Sequence, residues 1–255
     1  MHTGALACEL MKLMREVRST DDLADAMTCI TRKLGFEYFA LAHHVDVRVA
    51  RSNTIRVHNY PQAWVDYYDA NALGISDPVH RASHVTSIGF DWSEIPQMIP
   101  LTPADQQTLA LGREKGIGNG FTVPAHVPGE ARGSCSFANA AGRPIPSHSL
   151  PLAQLAGLFA FEAARRLCTP RGIQVRPPPL TDRQRDCVMW MARGKSAWET
   201  GQILGVSEET VRTHVRHAYE RYDVNKRASL IVQALFDGTI SFGDILRRAH
   251  PPFWG

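Results

Sequence analysis

Tyr60, Trp64 and Tyr68 recur every fourth residue, Asp77 precedes a proline, and Trp92 stands fifteen residues after Asp77. Three rings with polar tips, a carboxylate and a second indole suit a cavity that is apolar over most of its wall. A few fixed hydrogen-bonding groups would then orient a small molecule. The same rings could simply fill a core, which is their commoner use. Ser136, in Gly133-Ser134-Cys135-Ser136, adds a hydroxyl. A second set lies near the C-terminus, where Thr210, Arg212, Thr213, Arg216 and His217 are spaced to share one helical face. Arginine can bond guanine O6 and N7 in pairs, and threonine can meet a thymine methyl, so this face could read the major groove. A solvated basic face on a structural helix is the plainer alternative.

Elements must place these groups. Pro61 suits the first position of a short helix with Tyr60 as its N-cap, which sets Trp64 and Tyr68 one turn apart on one face. Residues 21–34 read as an amphipathic helix stopped by Gly35, and 36–45 as a β-rich strand in which Ala40 and Ala42 share a face. If that face lines a channel, its small side chains leave room for a long or bulky group. Residues 119–127 and 133–139 read as two further strands, joined by a turn at Pro128-Gly129-Glu130. Residues 54–57 and 85–90 read as shorter strands, and 149–167 as a docking or dimerising helix. Helices flanking antiparallel strands predict an α+β layered domain over 1–167.

Four prolines in 168–179 break any regular element and predict a linker. Beyond it, residues 180–240 divide into four short helical segments. Thr181 caps the first, which ends at Gly194, and Ser196 caps the second, over 197–204. Gly205-Val206-Ser207 forms a tight turn, and Ser207 caps a third helix over 208–222. That helix buries Val211, Val215, Ala218 and Tyr222 and turns the basic face outward. Residues 241–255 read as a tail.

The net charge of +3 is unevenly distributed. Residues 1–165 carry 14 Lys and Arg against 16 Asp and Glu, whereas 166–255 carry 14 against 9, placing the positive charge where a polyanion would bind. No apolar run approaches a membrane span and no signal peptide is evident, so a cytoplasmic protein without a membrane partner is expected. Five scattered cysteines, none in a Cys-x-x-Cys pair, suggest neither a disulfide framework nor a metal site. His43-His44 with Asp46 is too compact for metal ligation. No Gly-x-Ser-x-Gly elbow supports a hydrolase fused to a DNA-binding domain. Nor does the first strand end in the acidic pair of a phospho-acceptor receiver. Neither catalytic residues nor a cofactor are expected.

Residues 180–235 closely resemble the LuxR-type helix-turn-helix through Leu180-Thr181, Arg183, Trp190, Gly194-Lys195-Ser196, Glu199, Ile203, Val206-Ser207, Thr210-Val211, His214-Val215, Tyr222, Val224 and Arg227-Ala228. The resemblance implies duplex DNA as partner, with Thr210, Arg212, Thr213 and Arg216 at bases or phosphates and Lys195 at the backbone. Gln184 departs from the family's usual Glu.

The set Tyr60, Trp64, Tyr68, Asp77-Pro78 and Trp92, with Gly116-Ile117, Gly120 to Pro124 and Gly133 to Ser136, resembles the autoinducer-binding domain of quorum-sensing LuxR regulators. That implies an α/β/α sandwich with a central antiparallel sheet and an N-acyl-homoserine lactone as ligand. A homodimer on a two-fold symmetric operator is implied as well. Asp77 would accept the amide N–H, Trp64 would donate to the lactone carbonyl, Tyr60 and Ser136 to the amide carbonyl, and Trp92 would pack on the ring. Without a ligand Asp77 would be a buried carboxylate lacking that partner, which couples binding to folding. A regulator that needs no ligand, using the sandwich only to dimerise, is the competing reading.

Overall fold

The computed structural model describes residues 2–45, 54–127, 131–168 and 180–246. They divide into two compact units, one up to residue 168 and one from 180. The predicted turn at 128–130, most of the linker, Asp46 and residues 247–255 lie outside the described residues.

The first unit opens with α1 (His2–Glu16) and α2 (Thr20–Lys33). Ser19 and Asp22 form a reciprocal capping box at the start of α2, and Gly35 takes φ +86 beyond its end. Five strands follow: β1 (Tyr38–His43), β2 (Arg56–His58), β3 (Phe90–Asp91), β4 (Asn119–Ala125) and β5 (Gly133–Asn139). They form one antiparallel sheet in the order β2-β1-β5-β4-β3. Between β2 and β3 run α3 (Gln62–Ala70), α4 (Leu73–Ser76) and α5 (Pro78–Ser83). After β3 come α6 (Ile95–Met98) and α7 (Pro103–Glu114), and α8 (Leu150–Cys168) closes the unit.

Strand alternation gives the sheet two different faces. Phe39 and Leu41 of β1, Cys135 and Phe137 of β5, and Phe121 and Val123 of β4 join the apolar core with Met14 of α1, Leu23, Met27 and Ile30 of α2, and Ala153, Ala156 and Ala160 of α8. Each of the Phe, Leu, Ile, Val and Met side chains taken fully out of water contributes about 1.5–3 kcal/mol. Helix α8 lies close because its contact face is small: a Cβ on Gly157 would stand 2.9 Å from the Val123 Cβ. The opposite face carries Ala40 and Ala42 paired with Ser136 and Ser134, and looks toward α3, α5 and α7 across a cavity. The fold is therefore the α/β/α sandwich that the resemblance implied.

Three local readings need correction. The expected strand over 85–90 is reduced to Phe90–Asp91, because Thr86 Oγ1 accepts the Ile88 N–H and turns the chain just before it. The second strand is Arg56–His58 rather than 54–57, its bounds set by pairing with β1. Pro61, not Tyr60, is the N-cap residue of α3, with ψ 136 and its carbonyl accepting from Trp64.

The second unit contains α9 (Asp182–Ala192), α10 (Ala197–Leu204), α11 (Glu208–Tyr222), α12 (Arg227–Phe236) and a short α13 (Phe242–Leu246). Thr181, Ser196 and Ser207 cap α9, α10 and α11 through their side chains, and Gly205 takes φ +67 at the turn. Gln184 completes the Thr181 capping box by accepting the Thr181 N–H at 3.0 Å, so the change from Glu keeps the helix-terminal bond. A core of Val188, Ala218, Tyr222, Leu230, Ala234 and Ile240 holds the helices together. Residues 241–246, read above as the start of a tail, are tied to α9: Arg193 donates to the Asp244 carbonyl and Arg185 to the Asp244 carboxylate.

Candidate functional site

The cavity of the first unit offers about 150 Å³, some ten times what one water needs, so its aromatic residues do not simply fill a core. All six residues singled out from the sequence line it: Tyr60, Trp64, Tyr68, Asp77, Trp92 and Ser136. Ala40 and Ala42 do too. The i, i+4 spacing on α3 brings the Trp64 and Tyr68 rings to 5.8 Å, edge to face. Trp64 is buried, yet its indole N–H has no hydrogen-bond partner among the described residues.

Asp77 caps α5. Its Oδ1 accepts the Val79 N–H at 2.8 Å, so the carboxylate is anchored by backbone as well as aimed at the cavity. Its being without a partner, as the sequence suggested, is thus only half the picture. Burial pushes its pKa up, against the pull of His80 and of the Val79 and His80 N–H groups. Arg81 on the same helix bonds Asp105, in the capping box of α7, at 2.7 Å and so fixes α5 against α7.

Thr122 is the residue that the sequence reading missed. It pairs with Ser136 across β4 and β5, is fully buried, and sits at the centre of a hydroxyl chain. The Trp92 Nε1–H donates to Thr122 Oγ1 at 2.8 Å, and that hydroxyl meets Ser136 Oγ at 2.8 Å. Thr122 accepts from the indole, and either hydroxyl of the Thr122–Ser136 pair can donate to the other. The Tyr60 phenol lines the cavity with Ser136, and burial raises its pKa, as it does that of Tyr68, so both are protonated donors. Trp92 lies flat over Gly120, where a Cβ would come within 2.5 Å of the ring. Strand alternation in Gly120-Phe121-Thr122-Val123-Pro124 was the signal that could have found Thr122, once the register against Ser136 was known.

A histidine layer begins in the cavity wall at His80 and continues behind it. The His44 ring stacks on His80 at 3.8 Å between centroids, and its two nitrogens meet His84 at 2.8 Å and Ser134 at 2.9 Å. Burial first, and the neighbouring imidazoles second, hold the His44 pKa far below its ordinary value. His43 points to the other side of the sheet, against Phe161. Among the described residues no group of three His, Cys, Asp or Glu side chains is placed to hold a metal ion.

In the second unit Thr210, Arg212, Thr213 and Arg216 lie on α11, and Lys195 stands just before α10. Arg212 Nε lies 3.0 Å from Glu208, Lys195 2.8 Å from Glu199, and Arg216 4.0 Å from Glu220. Arg212 and Arg216 are largely exposed and Lys195 is half-buried, and each is paired four residues away. The Lys195 and Ser196 contacts hold the Glu199 pKa down to about 2. Thr210 shares its hydroxyl with Ser207 at 2.8 Å as part of the cap. Gly201 was also missed: a Cβ there would stand 2.7 Å from the Val206 carbonyl, so the close turn between α10 and α11 requires glycine.

A sandwich enclosing a cavity with fixed donors and acceptors, in one chain with a helix-turn-helix unit, defines a ligand-sensing transcriptional regulator rather than an enzyme. The chain belongs to the LuxR family of quorum-sensing regulators. Residues 19–165 match the autoinducer binding domain, and residues 178–234 match the luxR family of bacterial regulatory proteins. Among its relatives, the transcriptional activator protein AhyR of Aeromonas hydrophila is 25% identical over 236 residues, 91% of each chain. The quorum sensing-dependent regulator RpaR of Rhodopseudomonas palustris is 31% identical over 182 residues, covering 71% of this chain and 73% of its own. Escherichia coli SdiA superposes with a TM-score of 0.68 at 24% identity, over 92% of this chain and 98% of that one, and shares the fold. Among the described residues no helix is long and apolar enough to cross a membrane.

Proposed function

We propose that the cavity binds an N-acyl-homoserine lactone and that the protein, as a homodimer, binds a two-fold symmetric DNA operator through α11. The observation that carries this reading is the match of polar groups. Asp77 is an acceptor placed for the amide N–H, the Trp64 indole is an unpartnered donor for the lactone carbonyl, and Tyr60 and Ser136 present hydroxyls for the amide carbonyl. Trp92, held on Gly120 and Thr122, gives the lactone ring a flat wall. Tyr68 continues that wall along the acyl chain. A closed site must match each of these groups, because an unmet buried one costs about 1–3 kcal/mol.

Residues 168–179 then join a sensor over 1–167 to a DNA-binding domain over 180–240. Exposed Leu155 and Leu158 on α8, and Val232 and Phe236 on α12, are available to a second copy. In the DNA complex Arg212, Arg216 and Lys195 exchange their glutamate partners for phosphate or base edges, and Thr210 and Thr213 face the groove. This reading places the protein with its operator in the cytoplasm. Melting the purified protein across a panel of lactones tests the sensor: a concentration-dependent rise, abolished in Trp64→Phe, is expected, and no shift with any lactone would sink it. Removing Arg212 should weaken operator binding roughly ten- to hundred-fold at one base pair if the contact is bidentate. An equal loss on all sequences reassigns Arg212 to phosphate.

A second ligand class has one observation in its favour: a structure of SdiA in complex with octanoyl-rac-glycerol shares this fold, with a TM-score of 0.70 at 22% identity over 94% of this chain and 98% of that one. Octanoyl-glycerol therefore belongs in the same panel.

A further inference from the structure

The cavity face of the sheet continues past Ala42 and Ser134. Strand alternation carries it one row further, to His44 after β1, Arg132 before β5 and His126 after β4. Helix α5 meets this row with His80 and His84. Four imidazoles thereby come together: the His44 ring stacks on His80 at 3.8 Å, its Nδ1 lies 2.8 Å from His84 Nε2, and the His84 and His126 rings are 6.0 Å apart. His44 Nε2 bonds Ser134 Oγ at 2.9 Å, and His126 Nε2 donates to the Ser83 carbonyl at 2.9 Å. These contacts tie the C-terminal end of α5 to the sheet. The N-cap at its other end is Asp77, in the cavity wall. Six residues make fewer than two turns, so what holds one end of α5 positions the other.

A bond between two imidazoles limits their protonation. One nitrogen must donate and the other accept, so at most one of His44 and His84 can be a cation while their bond stands. The unfolded chain has no such limit and takes up two protons here in acid. The surrounding groups tighten the limit. His80, His126 and Arg132 act on His84, and His80, His84, His126 and, from behind the sheet, His43 act on His44; every one of these is cationic when charged. Asp77 acts on His80, whose Nδ1 also meets the Tyr68 hydroxyl, and Arg81 of α5 is turned to Asp105 of α7. Burial first and Arg132 second hold the His84 pKa down to about 4. Stability from this pair is therefore fully present above the ordinary histidine value of 6.5 and is lost as pH falls toward the folded one. Each withheld proton lowers the folding equilibrium about tenfold per pH unit in that window.

We propose that the imidazole cluster is an acid-sensitive latch on the ligand site: in acid the His44–His84 bond breaks, α5 leaves the sheet, Asp77 leaves the cavity wall, and bound lactone is released. This names a regulation of the lactone site and rests on that reading. His126 is exposed and gives protons a way in. Apparent affinity falls with the fraction of molecules in which α5 is docked. Asp77 has the opposite effect on the unliganded fold, since its raised pKa favours the folded state in acid. The latch is therefore read at the histidines themselves.

Octanoyl-homoserine lactone and octanoyl-glycerol serve as probes, because neither carries a group that titrates between about pH 7.5 and about pH 5.5. Their binding to the full chain should weaken about tenfold from the upper to the lower value. His84→Gln leaves His44 a neutral partner and should remove most of that loss. His148→Gln, which removes an exposed histidine outside the cluster, should leave the loss unchanged. Affinity that does not vary with pH in the wild type, or an undiminished loss in His84→Gln, would overturn the inference. Nuclear magnetic resonance of the His44 and His84 rings in the unliganded wild type needs no variant and no probe. One ring of the pair should stay neutral down to about pH 5, and both titrating at the ordinary histidine value would overturn the latch. If neither probe binds at the upper pH, the lactone reading fails, and the ring titration still decides the latch.

Discussion

The cavity and the basic helix solve the problem of presenting polar groups in opposite ways. Around the cavity polar side chains pair with partners on other elements: Trp92 with Thr122, Thr122 with Ser136, His44 with Ser134. On α11 and at the start of α10 the cations are exposed or half-buried and paired within their own sequence neighbourhood. Buried groups with fixed partners give selectivity, because any mismatch leaves a group unsatisfied. Exposed cations on flexible stems give attraction that solvent and salt weaken, and their local pairs exchange readily for phosphate. Substitutions in the first site should therefore act on folding and ligand together, and those in the second on DNA alone.

The sharpest contrast is expected beneath the cavity, on the apolar face of the sheet. Phe39→Ala should lower stability by about 3–5 kcal/mol, read as a shift of the denaturation midpoint. A loss below 1 kcal/mol would mean that the sheet is not the rigid base of the site. Next come the residues that orient the hydroxyl chain. Gly120→Ala forces a methyl onto Trp92, and Thr122→Val strands the indole N–H; each should cost about 1–3 kcal/mol and blunt the lactone-induced rise in melting temperature. If Thr122→Val leaves the ligand response whole, the chain does not position Ser136.

A smaller effect tests the charge on Asp77. Its folded pKa is raised above the unfolded value of about 3.9. Its contribution to stability is therefore fully present below the unfolded value and is lost as pH rises through the folded one. The unliganded protein should gain stability relative to Asp77→Asn on acidification through that window, measured by denaturant midpoints at several pH values. A flat difference would show that Asp77 is not desolvated. The smallest effect is expected for Arg212→Ala, which should leave the melting temperature unmoved while operator binding falls. A drop in melting temperature would break the comparison by giving the exposed pair a structural role.

The helix-turn-helix unit was almost wholly legible in the sequence because its determinants are local. Thr181, Ser196 and Ser207 cap the helices they precede, and Gly205 takes the positive φ its turn requires. Gly201 escaped notice because the Val206 carbonyl that excludes a side chain belongs to the next turn of the fold. In the sandwich, periodicity located α2, α8 and three strands, and the aromatic spacing on α3 put Trp64 and Tyr68 together. The sequence could not supply the register between strands that are about a hundred residues apart.

That register is what tertiary structure decided. Pairing Ala40 with Ser136 and Thr122 with Ser136 sets one face of hydroxyls and small residues toward the cavity. A slip of one residue would have turned Phe39, Phe137 and Val123 there instead, because side chains alternate with a period of two. The types and spacings of residues determined that this chain senses and regulates. Only the packing of the sheet determined that Tyr68, His80 and Ser134, far apart in sequence, line the same cavity and are linked through His44.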